Sequence, residues 1–357
     1  MRRRRVADAG HHGALMTAVS RRPRIAVVGA ASLIGEALIA ELRARNVAHA
    51  SLHALDDARD LGRAVGEDGE RLPVGDVATF DFSQVDLAFF CSRSQVAAHF
   101  APAAAAHAWV VDCSSAHRSL DEVPLVVADV NPQALDRIGA RGLVACPGSA
   151  SVALATALAP LAQLAGLERV DVATYHAVSG NGRAAVEGLA LETAALLGGR
   201  PARGRTFGQQ MAFNVLPLVD AAGEDGVSAE ERRLARETCR VLGSPTLEVN
   251  ATAVRVPVFF GHGLAVHLRL GRAVSVADAA EALQRNSGIA YVDARANEPV
   301  PTPASSALAP DRVYVGRLRV DTTRDRSLNF WVVADNVRKC AAHNAVSVAQ
   351  ILVNRFQ

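Results

Sequence analysis

The turn from Gly29 to Gly35 contains the residue types that hold a phosphate group. It lies between a short β-branched run, Arg24 to Gly29, and a stretch with helical periodicity, Ile34 to Arg45. At such a junction, backbone N–H groups and the helix N-terminus bind the pyrophosphate of a dinucleotide. The expected pattern G-x-x-G-x-x-G has Ser32 in place of its middle glycine, so we expect its Cβ to hinder close approach of the cofactor. The candidate cofactor-binding residues in this turn are Gly29, Ala30, Ser32, Leu33, Ile34 and Gly35.

Charged residues after the second predicted strand give conflicting indications of cofactor preference. Asp56 and Asp57 favour a ribose hydroxyl over a 2′-phosphate, whereas Arg59 can pair with that phosphate. The pattern therefore leaves NAD and NADP both open. An ordinary strand-to-helix turn with surface charges is the alternative interpretation of the whole segment.

The five cysteines have the wrong number and spacing for a disulfide framework or a zinc site. Their count is odd, they lie far apart, and they lack any C-x-x-C spacing. They are Cys91, Cys113, Cys146, Cys239 and Cys340. We therefore predict no metal site and a reducing, cytoplasmic location.

Length and composition predict a globular protein with two domains. The chain has 357 residues, half of them apolar and 21% charged, which is enough for each of two domains to bury a core. No apolar run reaches the roughly 18 to 20 residues needed to cross a bilayer. The net charge of +2 is spread along the chain, and the only dense basic cluster is Arg2 to Arg5. We therefore expect no nucleic-acid partner and no membrane association.

The first 23 residues do not follow the pattern of a folded domain. They are rich in arginine, glycine and histidine and lack the long apolar stretch of a signal peptide. We interpret residues 1–23 as a disordered extension, or as sequence that precedes the true start at Met16.

The order of apolar runs predicts two kinds of sheet. From residue 24 to 147, short apolar strands alternate with helical stretches such as Ser94 to His107, which predicts a parallel sheet covered by helices. From residue 148 to 335 the β-rich runs are longer, which indicates an open mixed or antiparallel sheet, and Asn336 to Arg355 reads as one helix. The fold class is therefore α/β, with a Rossmann-type parallel-sheet N-terminal domain and a second, α+β domain.

Several segments in one order resemble the aspartate-semialdehyde dehydrogenase family, with the closest similarity to its Usg-1-like branch. The resemblance implies an NAD(P)-binding domain, a catalytic and dimerisation domain, and a C-terminal helix (336–357) that packs back on the first domain. It also implies a homodimer that uses NADP, aspartate semialdehyde and phosphate. We expect an apolar face of the second sheet to make the dimer. The segments are Ser114-Ser-Ala-His-Arg118, Val178-Ser-Gly-Asn-Gly182, Ala212-Phe-Asn-Val-Leu-Pro217, residues 254–262 and Ala334-Asp-Asn-Val-Arg-Lys339.

The resemblance places a serine at the nucleophile position. In this family a cysteine thiolate opens a helix after an Asn-Pro-Asn-Cys-type turn, and the matching turn here is Cys146-Pro147-Gly148-Ser149. A thiol ionises readily at a helix N-terminus, whereas a serine hydroxyl needs a positioned base. Cys146 is an alternative nucleophile, although we expect its side chain to point elsewhere.

The remaining pocket residues of the family are largely matched. His262 corresponds to the general acid/base, Arg255 to the arginine for the substrate carboxylate, and Arg118 to a phosphate-binding arginine. The resemblance further assigns Glu230 to the substrate amino group, Arg233 to phosphate or carboxylate, His176 to the position of an orienting glutamine, and Asn336 to the nicotinamide. A solvated salt-bridged helix is the alternative for Glu230 and Arg233.

Three functions follow from this pattern. The first is a dehydrogenase whose activity is weak or lost. The second is a non-catalytic homologue that binds a metabolite or a partner, which the changes at Ser149, Ser32 and His176 favour. The third is an N-acetyl-γ-glutamyl-phosphate reductase-like enzyme, whose nucleophile turn also contains Pro-Gly but whose C-terminal sequence is not matched.

Overall fold

The computed structural model describes residues 22–66, 71–202, 206–293, 295–296, 299–306 and 309–356. Residues 1–21, and with them most of the predicted extension, lie outside the described residues. The helices and strands of the first domain are β1 (Arg24–Val28), α1 (Leu33–Ala44), β2 (Ser51–Asp56), β3 (Ala64–Val65), β4 (Leu72–Asp76), β5 (Leu87–Phe90), α2 (Ser94–Ala105), β6 (Trp109–Asp112) and β7 (Gly142–Ala145). Those that follow are α3 (Ser149–Ala165), β8 (Leu167–His176), α4 (Arg183–Leu197), α5 (Ala229–Val241), β9 (Glu248–Arg255), β10 (His262–Leu270), α6 (Val276–Arg285), β11 (Ile289–Val292), α7 (Pro303–Ser306), β12 (Val313–Val320), β13 (Ser327–Ala334) and α8 (Asn344–Phe356).

The N-terminal domain is a seven-stranded sheet in the order β3-β4-β2-β1-β5-β6-β7. All its described pairings are parallel except that between β3 and β4. The chain order reverses on either side of β1, so the turn after β1 opens into the crevice where doubly wound sheets bind ligands. The structure confirms the predicted fold class of this domain.

The C-terminal helix packs against the first domain. Apolar residues of α8, among them Val346 and Leu352, share a core with Ile25 of β1 and Leu38 of α1. The sequence predicted one helix from Asn336 to Arg355. The structure instead has a π-helical segment, Arg338–His343, before α8 begins.

The second domain is a six-stranded mixed sheet in the order β11-β12-β13-β10-β8-β9. The described pairings of β10 with β8 and β13 are antiparallel, and those of β8 with β9 and of β11 with β12 are parallel. The helix α3 is buried along most of its length, because it lies between this sheet and the other helices that cover it. This arrangement fixes the start of α3 at the junction of the two domains.

The uncovered face of the second sheet differs from the apolar surface that we expected. The alternating residues on that face include Arg169 and Asp171 of β8, His267 and Arg269 of β10, and Trp331 of β13. Strand alternation directs the apolar residues of these strands toward the covering helices, which leaves mainly charged, polar and aromatic side chains outside.

None of the helices in the described part of the chain is long and apolar enough to span a membrane.

Candidate active site

A cavity of about 250 Å³ lies where the two domains meet, and it gathers the predicted catalytic and substrate residues. Residues from both domains line it, including Ile34 of the glycine turn. The predicted residues in its lining are Arg118, Ser149, His176, Glu230, Arg233, Arg255, His262 and Asn336. They come from segments more than 200 residues apart in the chain, so only the tertiary fold brings them together.

Ser149 is the first residue of α3, and its hydroxyl group is not activated. Gly148 is the N-cap residue, and its backbone N–H donates a hydrogen bond to Glu237 Oε2 at 2.7 Å. Within the ranges that the structure describes, the Ser149 hydroxyl makes no hydrogen bond, and no histidine is paired with it. A serine nucleophile requires a base within about 3 Å. The site as it stands therefore lacks the nucleophile–base pair of a serine enzyme.

Cys146, the alternative nucleophile, is among the residues that line the cavity. It follows β7 directly, beside Cys113, which follows the neighbouring strand β6. Cys146 is only 1% exposed. The hydrogen bond with the Cys113 thiol and then burial raise the pKa of Cys146 well above its usual range. Its thiol therefore stays protonated at neutral pH, which disfavours it as a nucleophile.

His262 and His176 form a buried pair with their ring centroids 4.6 Å apart. The backbone N–H of Ala177 donates to His262 Nδ1 at 3.1 Å, and Thr174 Oγ1 lies 2.8 Å from His176 Nε2. Burial, followed by repulsion from His176 when that ring is protonated and from Arg255, lowers the pKa of His262 well below 6.5. Burial also lowers the pKa of His176. Both rings are therefore neutral at physiological pH.

Arg255, the last residue of β9, is a buried cation that no carboxylate among the described residues pairs with directly. It is 4% exposed, its guanidinium lies 4.7 Å from the Phe207 ring centroid, and Nη1 donates to the Ala177 carbonyl at 3.4 Å. Among the described residues it forms no salt bridge. Burying an unpaired charge is costly, so this guanidinium is suited to receive an anionic ligand such as a carboxylate.

The helix α5 supplies a charged cluster in which Arg233 is already paired. Arg233 Nη2 lies 2.7 Å from Glu230 Oε2, and it also forms an ion pair with Asp220. Seven residues after Glu230, on the same helical face, Glu237 is 1% exposed and approaches Arg118 Nη1 at 3.9 Å. Sequence reasoning missed Glu237 and Asp220, although helical spacing from Glu230 points to the former.

Arg118 and Asn336 differ in how many of their side-chain hydrogen-bonding groups remain available to a ligand. Arg118 Nη2 donates to the Cys113 carbonyl at 2.7 Å, while its buried Nε has no partner among the described residues. Asn336 Oδ1 accepts from the Gly261 N–H at 2.9 Å, and its side chain also bonds Ser179. Asn336 therefore ties the segment before His262 to the turn at Ser179, whereas Arg118 keeps donor capacity.

A second, more open cavity of about 610 Å³ lies at the glycine turn. Gly29 has φ +80°, and a Cβ there would lie 2.5 Å from the Ser92 nitrogen; a Cβ on Gly35 would lie 2.2 Å from the Gly29 oxygen. Both glycines are therefore required by the fold of the turn. Ser32 caps α1 with ordinary extended dihedrals: its Oγ accepts from the Gly35 N–H at 2.9 Å and donates to the Cys91 carbonyl at 3.0 Å. The Ser32 hydroxyl thus accepts a hydrogen bond from an N–H group at the N-terminus of α1 that a phosphate would otherwise accept.

The charged residues around this second cavity neutralise one another. Asp56 accepts from the backbone N–H groups of Ala31 at 3.3 Å and Asp57 at 3.0 Å, and burial raises the pKa of Asp56. Asp57 pairs with Arg93, and Arg59 lies 3.6 Å away from it. The predicted cofactor residue Arg59 is therefore at the cavity, but a carboxylate competes for it.

Comparisons with known proteins agree along nearly the whole chain. The model of the semialdehyde dehydrogenase NAD-binding domain matches residues 24–138, and that of the semialdehyde dehydrogenase dimerisation domain matches residues 158–339. An aspartate-semialdehyde dehydrogenase of Legionella pneumophila is 40% identical over 339 residues, 95% of this chain and 98% of the relative. A USG-1 protein homolog of Azotobacter vinelandii is 37% identical over 332 residues, 93% of this chain and 98% of the relative. The crystal structure of aspartate-semialdehyde dehydrogenase II of Vibrio cholerae complexed with ASA superposes with a TM-score of 0.91 at 37% identity, covering 95% of this chain and 100% of that one.

Proposed function

The chain belongs to the aspartate-semialdehyde dehydrogenase family, and we propose that it binds this family's substrates but turns them over weakly or not at all. The family reaction is the NADP- and phosphate-dependent oxidation of aspartate semialdehyde to aspartyl phosphate, which runs in reverse physiologically. The proposal separates binding, for which the pocket retains its charges, from chemistry, for which Ser149 lacks activation.

The observation that carries the proposal is the buried guanidinium of Arg255, which lines the cavity with His262 and has no ion-pair partner in the part of the chain that the structure describes. A carboxylate bound there would accept charge-assisted hydrogen bonds from Arg255, which no carboxylate among the described residues accepts. Arg118, with its unpartnered Nε, is a second cationic position in the same cavity and suits phosphate. Two cationic positions in the same cavity as Ser149 support a substrate that carries a carboxylate and reacts with phosphate.

The chemistry explains why activity is weak. In this reaction a thiolate adds to the aldehyde carbon, a hydride is lost, and phosphate displaces the acyl group. A nicotinamide cofactor supplies the hydride acceptor when bound, and the close-packed Gly29 and Gly35 fit its pyrophosphate. Ser149 would have to lose its proton before attack, and it has no base partner among the described residues. The α3 N-terminus alone stabilises a thiolate far better than an alkoxide, because a thiol pKa of about 8.5 is already near neutral pH.

The decisive experiment is phosphate-dependent NADP reduction with aspartate semialdehyde, comparing wild type with Ser149→Cys. Wild type should be nearly inactive, and the variant should be faster. Removal of a catalytic nucleophile lowers the rate by roughly 10⁴- to 10⁶-fold, which sets the upper limit of the expected gain. We expect partial recovery, because His176 and Gly148 also differ from the family pattern. Cys146→Ser in the Ser149→Cys background is the matched control and should leave the recovered rate unchanged. Wild-type turnover of order 1 to 10³ per second would refute the nucleophile assignment.

A non-catalytic binding role is the second candidate. The absence of a described base at Ser149 and the capping of an α1 amide by Ser32 favour it. If Ser149→Cys binds substrate and cofactor but does not react, this role becomes the better explanation.

We also expect a homodimer built through the dimerisation domain. The exposed apolar side chains Leu191 and Leu197 of α4 and Phe213 of the following loop, which are 61%, 77% and 65% exposed, are candidates for the buried surface. Light scattering at micromolar concentration should give twice the 37.4 kDa chain mass. A monomeric mass would contradict this expectation.

A further inference from the structure

Three cysteines lie side by side at the carboxyl ends of neighbouring parallel strands. Cys91 follows β5, Cys113 follows β6 and Cys146 follows β7, and the three strands end in register. The ladder continues past the strand ends. The Cys113 N–H donates to the Phe90 carbonyl at 2.9 Å, and the Cys146 N–H donates to the Asp112 carbonyl at 2.8 Å. All three side chains belong to one buried cluster, so they leave the sheet on the same face.

The three thiols form a row that runs from one cavity to the other. The thiol of Cys113 is hydrogen-bonded to both of its neighbours. All three cysteines are free and buried. Cys113 and Cys146 line the cavity at the domain junction, whereas Cys91 lines the cavity at the glycine turn. Cys113 and Cys146 therefore form a dithiol that a ligand in the cavity at the domain junction can reach.

We propose that Cys113 and Cys146 bind one soft monovalent cation of the Cu(I) class between their two sulfur atoms. Thiolate sulfur is the ligand that such ions prefer. Two metal–sulfur bonds of about 2.3 Å span roughly 4.6 Å, close to the ~4.7 to 4.9 Å between neighbouring strands. A structural zinc ion requires four ligands. Among the described residues, these two sulfurs belong to no group of three or more close ligating side chains, so the site suits an ion that is content with two.

A cation at this site would replace two protons. Two thiols and M⁺ give a two-thiolate complex of charge −1 and release two H⁺. Arg118 lies beside it, because its Nη2 donates to the Cys113 carbonyl at 2.7 Å and its buried Nε has no partner among the described residues. Asp112 is already held by His117, 2.7 Å away, and Glu237 is 3.9 Å from Arg118, too far for a hydrogen bond. The guanidinium therefore has the capacity to offset the charge of the complex.

The protonation of the thiols favours cation binding over oxidation. The hydrogen bond to Cys146 favours the Cys113 thiolate, but the hydrogen bond to Cys91 and burial outweigh it and raise the pKa of Cys113 well above its usual range. The hydrogen bond to Cys113 and burial also raise the pKa of Cys146, against the charge of Arg118. Disulfide formation needs an attacking thiolate, which is scarce here at neutral pH. A metal ion instead displaces the proton of a thiol that coordinates it.

The sequence predicted no metal site because the cysteines lie far apart along the chain. The parallel pairing of β6 with β7 brings Cys113 and Cys146 together, and no C-x-x-C spacing is needed for that. The site is thus a product of the sheet register.

Anaerobic titration of the full chain with Cu(I), in competition with a chromogenic Cu(I) chelator, tests the site. Wild type should bind one equivalent tightly and release two protons per ion, as measured by calorimetry in buffers of different ionisation enthalpy. Cys113→Ser and Cys146→Ser should each weaken binding at least about 100-fold, because the second thiol of a chelate acts at high effective concentration. Cys91→Ser and Cys340→Ser each remove a buried thiol outside the pair and should leave the affinity unchanged.

X-ray absorption of the loaded protein should show two sulfur neighbours around the copper ion. Equal affinity in all four variants, or release of a single proton, would mean adventitious binding to single thiols and would overturn the inference. An equal loss in Cys91→Ser would assign the ion to the whole row and overturn the pair. If Cys113→Ser does not fold, as judged by circular dichroism, Cys146→Ser against Cys91→Ser decides the question. None of these measurements needs turnover, so they are independent of the proposed function.

Discussion

The two cavities of this protein differ in whether their polar groups already have partners. At the glycine turn the Ser32 hydroxyl bonds the Gly35 N–H and the Cys91 carbonyl, and Arg93 is paired with Asp57. At the domain junction, the Ser149 hydroxyl and His262 Nε2 have no hydrogen-bond partner among the described residues. The Arg255 guanidinium has no carboxylate partner among them. Both cavities open at a helix N-terminus that follows a parallel strand, so the secondary structure does not cause the difference.

Paired groups organise a site without a ligand, and unpaired buried groups require one. A ligand at the glycine turn must compete with bonds that the protein already makes, which lowers its net gain. A carboxylate at Arg255 displaces no ion pair of the described residues and relieves a buried charge. We therefore expect strong substrate binding at the domain junction and weak cofactor binding at the glycine turn.

The largest effect should follow removal of the unpaired cation. Arg255→Gln should weaken the binding of aspartate semialdehyde about 100-fold, since losing one partner of a buried charge pair costs roughly 2 to 5 kcal/mol. Arg93→Gln is the matched control at the other cavity. It should change NADP affinity less than about threefold, because an exposed ion pair contributes little. Calorimetry on both variants gives the comparison, and equal losses would show that pairing does not distinguish the two cavities.

Releasing a paired cation should make the cavity at the glycine turn resemble the cavity at the domain junction, because it leaves a cation without a carboxylate partner. Asp57→Asn frees Arg93 and Arg59 for a 2′-phosphate and removes a repelling charge. We expect the ratio of NADP to NAD affinity to rise about tenfold, or roughly 1.4 kcal/mol or more, from a charge-assisted hydrogen bond. Asp81→Asn, a remote exposed carboxylate, should leave the ratio unchanged. An unchanged ratio in Asp57→Asn would mean that these arginines do not reach the nucleotide.

The buried neutral histidines should make the cavity at the domain junction sensitive to acid. The folded-state pKa of His262 is well below the unfolded value of about 6.5, so the unfolded chain binds the proton first. Stability is thus present above pH 6.5 and is lost as the pH falls below it. Urea unfolding should show a loss of stability from His262 as the pH falls from 7.5 to 5.5. His262→Gln should show a smaller loss; an identical pH dependence would contradict the assignment.

The smallest effect should come from the capping serine. Ser32→Gly should tighten NADP binding about fivefold, near the 1 kcal/mol of one net hydrogen bond, because the Gly35 N–H becomes free. Ser32→Ala separates two causes, since it removes the hydroxyl but keeps the Cβ. Equal tightening in both variants would assign the obstruction to the hydroxyl, and tightening in the glycine variant alone would assign it to the Cβ. Tight binding by wild type would contradict both.

The sequence by itself determined the two kinds of sheet and the glycine turn of the first domain. β-branched runs, helical periodicity and obligatory glycines act over a few residues, so the two sheets, Gly29 and Gly35 could be predicted without a structure. The helix break before α8 was missed, because the tertiary setting of residues 338–343 selects a π-helical segment that local propensity does not reveal. The family resemblance also listed the residues of the cavity at the domain junction.

Only the tertiary structure decided which of those residues are paired. Sequence treats Arg233 and Arg255 alike, yet Glu230 and Asp220 neutralise one of them and leave the other without a carboxylate among the described residues. The Ala177 N–H that fixes His262 is 85 residues away in the chain, and Glu237, which holds Gly148, is 89 residues away. Hydrogen bonds depend on tenths of an ångström between atoms from distant segments, and no local pattern carries that information.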